Sequence, residues 1–297
     1  MLANLPNLLP PRRISLTDDA AAILQFAADP WVDTALVTLV EVRGGAARAV
    51  GAQMAVRADG AFCGYISGGC TEAAVAAEAV ASIARREDRF LKLGEGSPFF
   101  DIVLPCGGGI TLSIHVNPNT TTLSAVLDRL ARRQRASLVY DPARQSLAIA
   151  NEQATGWSEN RFIRAYRPST QVAIFGDGGD AEALASLAAT SSMAVSRLGA
   201  EPTAFDADTA IALLMHDLDR EEPILLEALS SPAFYIGALG SRHTHERRQQ
   251  RLVEKGLAPH LIDRIRGPIG LFGPARDSAT LALSVLADIA ATRAGNA

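Results

Sequence analysis

The sequence predicts an α/β protein with two domains: a mixed α/β domain over residues 1–165 and a doubly wound, parallel-sheet domain over residues 166–297. In the second half, a short apolar segment, a glycine turn and a helical segment follow one another repeatedly, an order typical of a parallel sheet. In the first half, helical segments alternate with β segments joined by hairpin turns, which indicates mixed structure. Residues 164–170, which include Pro168, are predicted to link the domains.

The composition excludes several classes of protein. Hydrophobic residues make up 48% of the 297 residues and charged residues 20%, as in a globular protein. A net charge of −4 provides no basic field for nucleic acid or a membrane surface, and no apolar run approaches the roughly 20 residues that span a bilayer. Three cysteines and no signal-peptide pattern favour a reducing compartment, so we expect a cytoplasmic protein.

The individual elements follow from local signals. Residues 1–15 are expected to be an irregular arm because they contain three prolines. A capped helix then stops near Pro30, and Asp59-Gly60 supplies the positive φ angles of a hairpin turn. Apolar alternation and β-branched runs predict the strands, and Ala-rich or amphipathic runs bounded by caps predict the helices. The predicted strands are 34–42, 49–55, 61–66, 110–116, 137–140, 146–150, 171–176, 193–198, 210–215 and one beginning at 234; the later helices are 71–86, 122–135, 181–189, 223–230, 243–255 and 278–293.

Two glycine loops that contain cysteine form the candidate site of the first domain. They comprise Ser67, Gly68, Gly69 and Cys70, and Cys106, Gly107 and Gly108. The first loop leads into a helix, whose free N–H groups and dipole favour an anion and the thiolate form of Cys70. The loops therefore predict a pocket with soft ligands and an anion-binding backbone. The alternative is that the glycines only make tight turns and the cysteines are small core residues.

The turn after the first strand of the second domain reads Gly176-Asp177-Gly178-Gly179-Asp180-Ala181, the Gly-x-Gly-x-x-Ala pattern of a Rossmann-like dinucleotide site. The acids Asp177 and Asp180 lie where a phosphate would approach, and the acidic residue expected after the second strand is not evident. Arg197, at the end of that strand, suits a phosphate. The turn predicts either NAD(P) binding or a Rossmann-like turn without it.

Three more candidate residues follow other strands of the second domain. Ligands of doubly wound sheets lie beyond the carboxyl ends of the strands. His216 follows the strand at 210–215, and Ser241 and Arg242 follow the strand that begins at 234. We expect them to face a crevice, with Arg242 available to a phosphate and Ser241 able to cap the next helix.

Other titratable residues are assigned to structural roles. His243 and His245 lie two positions apart on a helix and face different sides, so no shared metal is expected. The arginine-rich run around Arg248 is predicted to be a solvated helix face and not a DNA-reading helix. Glu221 is expected to be an acid at a helix start. His115 alternates out of phase with its apolar neighbours and is predicted to lie at the surface or rim.

With these segments placed, the chain resembles the XdhC/CoxI family, the maturation chaperones of molybdenum hydroxylases such as xanthine dehydrogenase. The resemblance covers about residues 34–291. The most specific match is the Tyr-Ile-Gly-x-x-Gly-Ser-Arg pattern that ends at Arg242. Other matching runs are Ser67-Gly68-Gly69-Cys70-Thr71-Glu72, Cys106-Gly107-Gly108, His216-Asp217 and Gly267-Pro268-Ile269-Gly270-Leu271.

The resemblance implies a cytoplasmic maturation factor that binds molybdenum cofactor (molybdopterin). It favours this role over that of a catalyst. Such a protein protects the cofactor while a cysteine desulfurase helps to replace an oxo ligand by sulfur, and it delivers the cofactor to an apo molybdenum hydroxylase. It is expected to be a homodimer that binds neither nucleic acid nor membrane. Cys70 and Cys106 would be metal ligands on one wall of the site, and the crevice of the second domain would form the other wall.

The chain departs from the family pattern at several loops. Gly44-Gly45-Ala46-Ala47-Arg48 stands in place of Gly-Ser-x-Pro-Arg, and the turn at Gly176 lacks the usual Gly-Ala-Gly-His. Asp277-Ser278-Ala279-Thr280-Leu281-Ala282 replaces Thr-Pro-Glu-Glu-Ile-Ala. The alternative function is therefore an NADP-dependent oxidoreductase with a Rossmann domain, and a third possibility is a redox-sensing or scaffold protein that uses Cys70.

Overall fold

The computed structural model describes residues 10–69, 71–95, 107–197 and 205–295. The chain divides into two compact units, Met1–Arg167 and Pro168–Ala297. Each unit combines helices and sheets, which confirms the predicted α/β class. No helix within these described ranges is long and apolar enough to cross a membrane.

The first unit is built on a six-stranded and a four-stranded sheet. The strand order is β1-β4-β3-β2-β6-β5 in the larger sheet and β8-β7-β10-β9 in the smaller. The pairs are antiparallel except for β1 with β4. The elements are β1 (Arg12–Ser15), α1 (Ala20–Ala27), β2 (Thr34–Arg43), β3 (Gln53–Arg57), β4 (Ala61–Gly64), α2 (Glu72–Arg85), β5 (Arg89–Gly94), β6 (Gly109–Val116), α3 (Thr120–Ala131), β7 (Ala136–Asp141), β8 (Ser146–Ala150), β9 (Gly156–Ser158) and β10 (Arg161–Tyr166).

Two segments of this unit are strands where the sequence predicts irregular chain. Strand β1 lies in the expected arm: Arg12 pairs with Ala61, and the Arg12 N–H donates to the Gly60 carbonyl at 2.9 Å. The prediction of an arm is wrong here because a short, charged edge strand needs no buried apolar pattern. Strand β10 extends to Tyr166, which is buried, so the predicted linker begins too early.

The larger sheet is covered on both faces. Helix α2 packs on one face through residues such as Val75 and Ala79. Helices α1 and α3 and the smaller sheet cover the other face, where Leu24, Leu123 and Leu138 are buried. Strands β2, β3, β4 and β6 are therefore buried along most of their length, so buried and exposed residues do not alternate along them.

This double cover explains why the prediction of an exposed His115 is wrong. His115 is buried, and its Nδ1 atom lies 2.6 Å from Asp88 Oδ2. The same carboxylate accepts hydrogen bonds from the Tyr140 hydroxyl at 2.8 Å and the Val116 N–H at 2.9 Å. Burial would raise the pKa of Asp88, but the hydrogen bonds from His115 and Val116 outweigh it and lower the pKa.

The second unit is the predicted doubly wound parallel sheet. Every strand pair is parallel, and the order is β12-β11-β13-β14-β15, so the winding reverses beside the first strand. Helices α4 and α8 pack on one face, and α5, α6 and α7 on the other. The elements are β11 (Gln171–Phe175), α4 (Gly179–Thr190), β12 (Ala194–Arg197), β13 (Thr209–Leu213), α5 (Leu218–Ser230), β14 (Tyr235–Ala238), α6 (Arg242–Glu254), α7 (Pro259–Ile262), β15 (Ile265–Arg266) and α8 (Ser278–Gly295).

Arg248 does not lie on a solvated face, contrary to the prediction. It is 2% exposed and forms a bidentate ion pair with Glu221, which is 1% exposed. Arg248 Nη2 donates to Glu221 Oε2 at 2.9 Å and to the Leu239 carbonyl at 2.7 Å. The pair therefore ties α6 to α5 and to the chain just after β14.

Candidate functional site

The two glycine loops of the first unit emerge from the same edge of the six-stranded sheet. Arg43 at the end of β2 pairs with Gly109 at the start of β6. Gly64 at the end of β4 pairs with Met54, next to the start of β3. Because β3 and β4 are antiparallel neighbours, and β3 is antiparallel to β2, these ends share one edge. The chain that follows β4 and the chain that precedes β6 therefore lie along this edge, as the predicted pocket requires.

The segment Gly44-Gly45-Ala46-Ala47-Arg48 contacts both loops. A Cβ atom on Gly108 would lie 2.2 Å from the Gly45 carbonyl oxygen, so only glycine permits this approach. A Cβ atom on Gly68 would lie 3.2 Å from the Ala47 Cβ. We call residues 44–48 the bridging segment. Gly68, Gly69 and Gly107 are exposed and have positive φ angles of 93°, 106° and 71°.

The first loop is held by the carboxylate of Glu72, the first residue of α2. Glu72 is 2% exposed, and it accepts hydrogen bonds from the N–H groups of Ile66 at 3.0 Å, Ser67 at 2.8 Å and Thr71 at 3.1 Å. The Ser67 hydroxyl also lies 2.9 Å from each oxygen. The N–H groups of Ser67 and Thr71, which the sequence predicts to be available to an external anion, are therefore already paired with a carboxylate of the chain itself.

The pKa of Glu72 is a balance of opposing effects. Burial raises it, but the hydrogen bonds from Ser67 and Ile66 stabilise the charged form and lower the pKa below its usual value. Glu72 therefore remains a carboxylate at neutral pH. Its role is missed in the sequence analysis, although a glutamate directly after a glycine loop at a helix start is a recognisable signal.

The predicted metal ligands Cys70 and Cys106 lie outside the described residues, and their role stays a prediction. The described ranges contain no group of three or more His, Cys, Asp or Glu side chains placed to hold a metal ion. The remaining cysteine, Cys63, is 5% exposed in β4, and burial raises the pKa of its thiol. Cys63 is therefore a core residue of low thiolate character.

The predicted residues of the second unit lie at the carboxyl ends of its strands. Gly176 follows β11 with a φ of 148°, and a Cβ atom there would lie 2.4 Å from the Leu214 carbonyl oxygen. The turn thus packs against the chain that leads from β13 to His216, which is exposed. Ser241 caps α6, accepting a hydrogen bond from the Thr244 N–H at 3.2 Å, and Arg242 is exposed in the first turn.

A surface groove of ≈ 830 Å³ runs beside α6. It includes His216 but not Gly176, Gly178, Ser241 or Arg242. Its lining mixes both signs of charge: His216, Asp217, Leu218, Asp219, Thr244, Arg247, Gln250, Arg251 and Glu254. The predicted residues thus share one end of the sheet, while only His216 lines this groove.

Two contacts at the glycine turn bear on the prediction of a dinucleotide site. Arg197, predicted to suit a phosphate, forms an ion pair with Glu182 of α4. Asp180, in the first turn of α4, accepts a hydrogen bond from the Ser278 hydroxyl at 2.6 Å. Its carboxylate therefore stays near the helix N-terminus, where it repels phosphate.

Replacing Gly176 with alanine is expected to destabilise the second unit by about 1–3 kcal/mol, because the new Cβ collides with the Leu214 carbonyl at an unfavourable φ angle. Gly178 is the matched control: its φ is −87° and a Cβ there meets nothing within 4 Å. Urea denaturation followed by circular dichroism measures both variants. Equal stability of Gly176→Ala and Gly178→Ala would contradict the close approach.

Comparisons with known proteins match both units. A family model described as the XdhC Rossmann domain matches residues 172–289, and one described as the XdhC and CoxI family matches residues 32–94. The molybdenum cofactor insertion chaperone PaoD of Escherichia coli (strain K12) is 48% identical over 291 residues, which cover 95% of this chain and 92% of PaoD.

Two further proteins are more distant. The uncharacterized protein YqeB of Escherichia coli (strain K12) is 28% identical over 260 residues, which cover 86% of this chain but 42% of YqeB. A crystal structure named as a xanthine dehydrogenase from Bacillus halodurans superposes with a TM-score of 0.74 at 19% identity, covering 93% of this chain and 96% of that one, which supports the fold alone. Because the chain is 48% identical to PaoD along nearly its full length and matches both family models, it belongs to the XdhC and CoxI family.

Proposed function

We propose that this protein binds molybdenum cofactor and delivers it to an apo molybdenum hydroxylase of the xanthine dehydrogenase type. The observation that carries the proposal is the 48% identity to a molybdenum cofactor insertion chaperone along almost the entire chain. The geometry of the first unit supports it, since two exposed glycine loops next to cysteines share one sheet edge. Such a site would offer the exposed backbone of Gly68, Gly69 and Gly107 to an oxyanion and thiolates to a soft metal.

In this proposal each part of the edge has a separate task. Cys70 and Cys106 are the metal ligands, and Gly68, Gly69 and Gly107 let the backbone approach the cargo closely. Glu72 holds the first loop in place through the N–H groups on both sides of Cys70. In the second unit, the proposed cofactor-binding residues are Gly176, Gly178, His216, Ser241 and Arg242, at the carboxyl ends of its strands.

The partners in the proposal follow from this role. A cysteine desulfurase supplies sulfur to the bound cofactor, and the hydroxylase then receives it, so the protein escorts a cargo and is not itself the catalyst. We place it in the cytoplasm as a homodimer. The alternative, an NADP-dependent oxidoreductase, is disfavoured because the carboxylate of Asp180 is held at the helix start, where a phosphate would bind.

The proposal predicts that protein purified from a molybdate-fed host carries molybdenum and pterin in near-stoichiometric amounts. The Cys70→Ala, Cys106→Ala double variant is expected to lose most of the metal, because both soft ligands are gone. Elemental analysis and the fluorescence of the oxidised pterin provide the measurement. Cys63→Ala is the control and is expected to keep its metal, since Cys63 lies in the core of β4.

Two results would reject the proposal. One is the absence of both molybdenum and pterin from wild-type protein that instead binds NADPH tightly, which favours the oxidoreductase. The other is unchanged maturation of a client hydroxylase by the double variant, which would show that the cysteine loops do not carry the function.

A further inference from the structure

Two arginines near the glycine-loop edge have buried hydrogen-bonding atoms without partners. The Nε atoms of Arg48 and Arg164 are buried, and neither has a hydrogen-bond partner in the described part of the chain. Buried polar atoms are nearly always hydrogen-bonded, and an unmet charged donor is especially costly. Such atoms therefore point to a group that binds between or beside these side chains.

Arg48 ends the bridging segment and lies against the first glycine loop. Its guanidinium stacks on the Tyr65 ring, with 4.3 Å from Cζ to the ring centroid, and Nη1 donates to the Tyr65 hydroxyl at 3.0 Å. Tyr65 directly precedes the Ile66 and Ser67 N–H groups that Glu72 holds. The ion pair of Arg48 with Asp18 is long, at 3.4 Å, and Asp18 is 67% exposed, so it neutralises Arg48 weakly.

Arg164 of β10 reaches the same part of the first unit. A Cβ atom on Gly51, three residues after Arg48, would lie 3.0 Å from Arg164 Cδ and 3.3 Å from its Nε. The Arg164 guanidinium lies over the Tyr166 ring, and its Nη1 donates to the Ala165 carbonyl at 2.5 Å, a neutral partner that does not compensate its charge. Burial lowers the pKa of Arg164, and the positive charge of Arg48 acts in the same direction.

Two partly buried guanidinium groups of the same charge in one part of the unit favour a ligand with two negative charges. Guanidinium presents a planar set of donors that matches phosphate oxygens. Arg48 remains 24% exposed, so a ligand can reach it from solvent. We propose that Arg48 and Arg164 together bind a phosphate group at the glycine-loop edge. The inference rests on the proposed function in one respect: the phosphate would be that of the pterin cofactor.

The test begins with inorganic phosphate, titrated into the full-length protein at low ionic strength by isothermal calorimetry. Wild type is expected to bind, and Arg48→Gln and Arg164→Gln are each expected to weaken binding at least about tenfold, because each removes a charged hydrogen-bond donor. Arg161→Gln is the matched control: Arg161 lies on the same strand but is 57% exposed and pairs with Asp141. Circular dichroism verifies folding, and Arg48→Gln remains informative if Arg164→Gln does not fold.

The pterin and molybdenum contents of the same variants separate this inference from the proposed function. If wild type carries cofactor, and both arginine variants bind cofactor and phosphate as wild type does, the inference is overturned and the proposed function stands. Arginine-dependent phosphate binding in a protein that never carries cofactor would support a free-phosphate site and remove the proposed function. Loss of both phosphate and cofactor in the variants, with Arg161→Gln unaffected, is the expected result.

Discussion

Replacing Arg248 with methionine is expected to lower the free energy of unfolding of the second unit by about 3–5 kcal/mol, because Glu221 is left as an uncompensated buried charge. Both side chains are almost completely buried, and Arg248 also satisfies the Leu239 carbonyl. The variant Arg248→Met, Glu221→Leu is expected to recover much of this loss, since two apolar side chains replace the pair.

Hydrogen exchange of peptides from residues 168–297, read by mass spectrometry, measures this effect in the intact protein. Arg251→Met is the control on the same helix: Arg251 is 39% exposed, its partner Asp219 is 80% exposed and its contact with Glu222 is long, at 3.9 Å, so little change in stability is expected. A loss in Arg248→Met no larger than that in Arg251→Met would show that the buried pair is not formed.

Replacing Glu72 with glutamine is expected to destabilise the first unit by about 2–3 kcal/mol, because an amide N–H₂ then faces N–H donors that need an acceptor. The three backbone N–H groups around the first glycine loop and the Ser67 hydroxyl all use this carboxylate. Both tryptophans, Trp31 and Trp157, belong to the first unit, so the fluorescence change during urea denaturation reports on that unit.

The same variant tests the pH dependence. The folded pKa of Glu72 is lower than the ordinary value of 4.5, so its stabilisation is complete above that value and is lost as the pH falls through the folded pKa. Wild type is therefore expected to lose stability more steeply than Glu72→Gln below pH 4.5. Asp88 has a lowered pKa in both proteins, so the difference between the curves belongs to Glu72. Glu78→Gln changes a half-exposed residue of α2 that pairs with Arg89 and not with the glycine loop, so it should follow the shape of the wild-type curve. Parallel curves for all three proteins would contradict the assignment.

Elements with strong local signals are the ones predicted well from the sequence. The Asp59-Gly60 turn joins β3 to β4 as an antiparallel pair, and Ser241 caps α6 as its position suggests. The strand, glycine turn and helix at Gly176 likewise form as predicted, because each depends on neighbours a few residues away. The parallel arrangement of the strands follows from repeating these local units.

The remaining features depend on contacts between distant parts of the chain. Glu221 and Arg248 are 27 positions apart, and nothing local distinguishes Arg248 from the exposed arginines beside it. Burial of His115 requires that a second sheet cover its strand. Arg164 lies in the same part of the unit as Arg48 only because β10 is a strand of the smaller sheet and not a linker. Sequence patterns describe one element at a time, and these residues acquire their roles only when elements pack together.

The carboxylate of Glu72 also determines when the first glycine loop becomes ordered. A loop whose N–H groups waited for an external anion would lose its conformational freedom on binding, and this loss would weaken affinity. Here the acceptor is part of the chain, so the N–H groups of Ile66, Ser67 and Thr71 are held in place when the unit folds. A ligand that arrives at this edge therefore meets these residues already arranged, and its binding energy is not reduced by the entropy of arranging them.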